Sequence, residues 1–113
     1  MSKASDMARL AEVAQLMLDH RLGQLRLAAA NLERSRMQIA ALDQTGQPAD
    51  LEPVTAGKVA LAYDRWADLR RAELNLVIAR QTASWLEARG EAQTAFGRVQ
   101  ALQGLATRLK ERR

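Results

Sequence analysis

Few residues in this chain have the types and spacing that could do chemistry. His20 is the only histidine. It could serve as a base or a metal ligand, but either role needs companions, and beside Asp19 on a polar helix face it reads as solvated. Asp64 and Asp68 stand four apart, the spacing of paired carboxylates on one helix face. Paired carboxylates can share acid and base roles. Here Arg65, Arg70 and Arg71 surround them, so the pair reads as ion-paired surface. There is no cysteine, hence no thiolate nucleophile, disulfide framework or cysteine metal site. The glycines sit inside helical stretches and form no phosphate-cradling loop after a strand. The sequence therefore predicts no catalytic residues, no metal site, no cofactor and no enzyme activity.

Two helices must position everything else. Residues 55–112 run without a proline and are rich in alanine, leucine, arginine, glutamate and glutamine, the strong helix formers. Large apolar residues recur there in two rows eleven apart: Tyr63, Leu74, Trp85, Phe96, and Trp66, Val77, Ala88, Val99. Eleven residues in three turns keeps such rows on one side of a nearly straight helix. From Trp85 a heptad reading also fits: Trp85, Ala88, Ala92, Ala95, Val99, Leu102, Ala106, Leu109.

The first helix is predicted over residues 5–43, with Ser2 or Ser5 as its cap. Ala11, Leu18, Leu25, Leu32 and Ile39 fall seven apart, with the mixed companions Ala14, Arg21, Ala28, Ser35 and Leu42. Ala28, Ala29 and Ala30 leave room for a bulky partner such as Trp66 or Leu69. Residues 44–54, with Gly46, Pro48 and Pro53, break the composition. Gly46 can end the first helix in a left-handed cap, and Asp50 or Thr55 can cap the second. So short a connection predicts antiparallel helices. The fold class is all-α: one domain over residues 1–113, an antiparallel coiled-coil hairpin whose second helix is the longer.

Measured from the turn, the first helix would cover the second only to about Ala92 or Gln93. Residues from about Ala95 onward would overhang. That stretch is apolar on one side and holds the whole net charge of +4: Arg98, Arg108, Lys110, Arg112 and Arg113 against Glu111. An uncovered basic amphipathic helix is expected to dock on a partner. Its candidate contact residues are Phe96, Arg98, Val99, Leu102, Leu105, Arg108, Leu109 and Lys110. Trp66 and Trp85 are candidate interface anchors, because two helices have little interior in which to hide them. Gly90, Gly97 and Gly104, seven apart, are either tolerated weak spots or a smooth packing line.

The start of the chain lacks a continuous apolar signal region, and no stretch is long and apolar enough to span a membrane. A cytoplasmic protein without membrane insertion is expected. Because the basicity is local, a broad nucleic-acid surface is not expected, and a small nucleic-acid binder using the Arg98–Arg113 tail is the least favoured reading. Self-association through the overhang, as a homodimeric coiled-coil adaptor, is the alternative use of the same surface.

The run Tyr63-Asp64-Arg65-Trp66-Ala67-Asp68-Leu69-Arg70-Arg71-Ala72-Glu73-Leu74, followed by Ala83-Ser84-Trp85, resembles the second helix of short members of the flagellar FliJ and type III secretion YscO stalk family. The outline of two helices with a basic end extends that likeness over the chain. The resemblance implies a rod inserted into the ring of an export ATPase, with contacts to the export gate and to substrate chaperones. It also implies a location at the export apparatus.

Overall fold

The computed structural model describes residues 2–44 and 52–112. Two helices account for nearly all of them: α1, Lys3–Asp43, and α2, Pro53–Glu111. They form an antiparallel helical hairpin with the longer helix second. No strand occurs among the described residues.

The helix ends follow from local chemistry. The Ser5 amide donates to Ser2 Oγ at 3.1 Å, so Ser2 supplies the cap. α2 opens on Pro53, whose missing N–H costs nothing in a first turn. The Ala56 amide donates to the Glu52 carbonyl at 2.7 Å, closing that turn. The helix thus starts two residues before Thr55, and Thr55 is not its cap. Asp50, Gly46 and Pro48 lie outside the described residues. At the far end of α2, Arg108 and Lys110 place positive charge in the last turn, where the helix dipole favours it.

The packing divides into two units, Met1–Ala29 with Ser84–Arg113, and Ala30–Ala83. In the first, the α1 stripe Ala11, Ala14, Leu18, Leu25 and Ala28 is buried or half-buried, as is the α2 stripe from Trp85 to Leu109. Ala14, Leu18, Ala95 and Val99 form its core, with Leu22 and Leu102 packed against them. Ala14 and Ala95 among the three leucines mix small and large residues in one seam.

In the second unit, Leu32, Ala67, Leu74 and Ser35 are buried. The Ser35 hydroxyl donates to the Asn31 carbonyl at 3.3 Å, a bond within its own helix. Gln81 Oε1 is buried there without a protein hydrogen-bond partner. The inward line of α2 here runs Ala56, Ala60, Tyr63, Ala67, Arg70, Leu74, Ile78, Gln81, of which Ala56 and Ala60 lie beyond the end of α1, since Asp43 reaches Arg71. It keeps alternating steps of three and four, except for two successive fours from Arg70 through Leu74 to Ile78. Counted on to Gln81, those steps make one eleven-residue repeat, a local unwinding of the heptad pattern.

The eleven-residue rows are the buried face only in part: Tyr63, Leu74, Trp85, Ala88 and Val99 lie in the seam, and the other three members leave it. Phe96 is 51% exposed, Trp66 53% and Val77 37%. An eleven-residue step moves a side chain four positions round a seven-residue repeat, so rows built on it walk out of a heptad seam. Trp66 and Leu69 fill no alanine hollow on α1; both face outward.

Candidate interaction surfaces

The expected C-terminal overhang is absent. In the first unit α1 and α2 contribute stretches of nearly equal length. Lys3, Ala4 and Met7 line a groove with Ala106, Leu109 and Lys110, which places the last turns of α2 beside the first turn of α1. The surplus of α2 lies instead in the second unit, at its own start: Asp43, the last residue of α1, reaches Arg71, eighteen residues beyond Pro53. Lining the helices up from the turn assumed that they leave it level. The heptad seam overrides that, because sliding α2 by its surplus would separate Leu18 from Ala95 and Val99.

This relocates the candidate contact residues. Val99 is buried, and Leu102 and Leu109 are half-buried in the chain's own seam. They hold the hairpin together and are not free for a partner. Phe96, Arg98, Leu105, Arg108 and Lys110 are exposed, because they sit beside the seam rather than beyond its end. Trp85 is half-buried, with the Arg89 guanidinium 5.6 Å from its ring centroid, a cation–π distance. Trp66 is exposed and stacks at a tilt on Tyr63, ring centroids 5.6 Å apart.

Two further apolar surfaces lie outside the single stripe expected on each helix. In the first unit Leu10, Val13 and Met17 stand beside Ala101 and Leu102 around a groove of about 370 Å³, with Arg98 at its edge. In the second unit Val59, Ala62, Trp66, Leu69 and Leu76 make an outward stripe on α2. The signal was present: residues 59, 62, 66, 69, 73 and 76 keep the same three–four alternation as the seam, about a quarter of a turn away.

Charge is organised around the seams. Arg21 Nη1 lies 2.8 Å from Glu91 Oε2 across the first unit. Arg71 bridges Asp43 at 2.7 Å and Asp68 at 3.0 Å in the second. The hydrogen bond to Asp43 raises the Arg71 pKa; burial opposes that, and the nearby charges of Asp43 and Asp68 add to it. Asp68 is thus occupied in an ion pair, and His20 and Asp64 are exposed. No cluster of three or more metal-ligating side chains occurs among the described residues. No described helix is long and apolar enough to cross a membrane.

No protein-family model, curated protein or solved structure matches the chain.

The glycine row has an answer within the chain. A Cβ built on Gly90, Gly97 or Gly104 meets nothing within 4 Å, and no described glycine has a positive φ. The row is not a close-packed line between α1 and α2.

Proposed function

We propose that this chain is a non-enzymatic stalk or escort component of a bacterial flagellar or type III protein export apparatus that binds the export ATPase. One observation supports the reading beyond the sequence resemblance. The first and last turns of the hairpin lie side by side, and the outer surface near them carries Phe96, Leu105, Arg98, Arg108 and Lys110. Paired helix ends with exposed aromatic, aliphatic and basic side chains suit insertion into a protein ring.

The test must spare the seam. Cutting the chain after Gln93 would strip α1 of Ala95, Val99 and Leu102 and destroy the first unit. A better variant combines Phe96→Asp, Leu105→Asp and Arg108→Glu, all at exposed positions. Binding to the export ATPase of the same bacterium should weaken by at least about tenfold, as for lost interface anchors, while helicity stays constant. Unchanged binding overturns the proposal.

A second reading, a self-associating coiled-coil adaptor, is favoured by the apolar groove at Leu10, Val13 and Met17. It requires a dimer in sedimentation at micromolar concentration that is lost on Val13→Asp with Met17→Asp. A monomer under those conditions removes it.

A further inference from the structure

The outward stripe on α2 has features that say what kind of molecule would cover it. Val59 is 41% exposed, Trp66 53%, Leu69 69% and Leu76 63%. From Val59 to Leu76 the stripe covers about 26 Å of helix at 1.5 Å per residue. Its alternation of three and four is the pattern that a second helix reads by placing knobs between side chains. Trp66 sits near its middle, braced by Tyr63, whose hydroxyl donates to the Leu42 carbonyl at 3.2 Å. A large aromatic held in place at the centre of an exposed apolar strip is the composition of an interface anchor.

The charges beside it have one sign. Lys58 and Arg65 flank one side of the stripe and Arg70 the other, while Arg80 continues its line. Glu73, the one acidic side chain within the stripe, is taken by Arg70 at 3.2 Å. Lys58, Arg65 and Arg80 are exposed, and no ion pair among the described residues engages them. A second copy laid on this stripe would bring Arg65 against Arg65 or Arg70 of that copy, depending on direction. Like charges beside a helical seam oppose that pairing.

We infer that the Val59–Leu76 stripe of α2 is a docking site for an amphipathic helix of another protein, one with acidic residues flanking its apolar face. The site lies in the second unit and uses none of the residues assigned above to ATPase binding.

The probe is a synthetic peptide of about three heptads with leucine at the two core positions and glutamate at the two flanking ones. Its control carries lysine at the flanking positions. Labelled peptide is titrated with the full chain and followed by anisotropy and by Trp66 emission, with Trp85→Phe as the background. The glutamate peptide should bind, weaken with added salt, and exceed the lysine peptide by at least about tenfold. Leu69→Asp should abolish binding at unchanged helicity, and Lys58→Glu with Arg65→Glu and Arg80→Glu should invert the preference. Equal binding of both peptides, binding that survives Leu69→Asp, or a homodimer lost on Leu69→Asp each overturns the inference. Because only the chain and a peptide are used, failure here is separable from failure of the export reading.

Discussion

Arg21 of α1 and Glu91 of α2, seventy residues apart in sequence, meet at 2.8 Å across the seam of the first unit. Arg21 also donates to Gln24 on its own helix at 3.0 Å, which holds the guanidinium in position. Arg21 occupies a companion position of the apolar stripe, between Leu18 and Leu25, so its direction is set by the seam. The pair therefore reports register. Its side chains are 35% and 42% exposed, so solvent screening limits its worth to roughly 0.5 kcal/mol. Arg21→Glu should lower the melting temperature by opposing Glu91, and Arg21→Glu with Glu91→Arg should recover most of the loss. A double-mutant cycle by thermal circular dichroism gives the coupling; zero coupling would mean that the two helices are not held in this register.

Leu18 and Leu16 are two residues apart and should behave as different kinds of position. Leu18 is 7% exposed against Ala14, Ala95 and Val99, while Leu16 is 68% exposed. Leu18→Ala leaves a hole in a seam whose other members are mostly small, and should cost about 2–4 kcal/mol. Leu16→Ala should stay within about 0.5 kcal/mol. Urea denaturation of the two variants makes the comparison, and similar midpoints would contradict the seam.

Gly90, Gly97 and Gly104 have helical backbones with open space where a side chain would stand. Replacing each with alanine removes backbone freedom from the unfolded chain without a clash, for about 1 kcal/mol per site. The triple variant should melt at a higher temperature than the parent. A fall would reveal a contact that the hairpin does not contain. If a partner's backbone lies along this row, the same variant would bind that partner less well while melting higher.

The seam of α1 was readable because all its members keep one alternation from Ala11 to Leu42, even where Arg21 and Ser35 interrupt the apolar residues. The α2 seam was readable from Trp85 onward for the same reason. Before Trp85 it was not, because Trp66, Leu69 and Val77 are large but face outward, whereas Ala60 and Ala67 are small and face inward. Size misled because Ala67 is buried although small, while the larger Trp66 and Leu69 beside it are exposed. Register was the second thing hidden: a regular heptad stripe marks a buried face, but not how far one helix slides along the other. The two ends share the same residue types, and only the mutual fit of Leu18 with Ala95 and Val99 decides the slide. That choice moved Val99, Leu102 and Leu109 from the candidate contact surface into the chain's own seam.

The end of α1 is finished by side chains borrowed from α2. Asp43 is a carboxylate at a helix C-terminus, where the dipole disfavours negative charge. No basic residue of α1 stands in that last turn. Arg71 supplies the missing positive charge at 2.7 Å, and the Tyr63 hydroxyl donates to the Leu42 carbonyl, one of those left without a helical partner. Arg71→Ala with Tyr63→Phe should therefore speed amide exchange over residues 40–44 while leaving exchange near Leu18 unchanged. The pH dependence follows from the raised Arg71 pKa. A basic group whose pKa is higher in the folded state stabilises fully below its unfolded value, and that stabilisation is lost only as pH rises through the folded value. For arginine both lie in strong alkali. The effect of Arg71→Ala on exchange protection should then be flat between pH 6 and pH 9 once intrinsic exchange rates are divided out. A protection difference that changes across that window would assign the end of α1 to another titrating group.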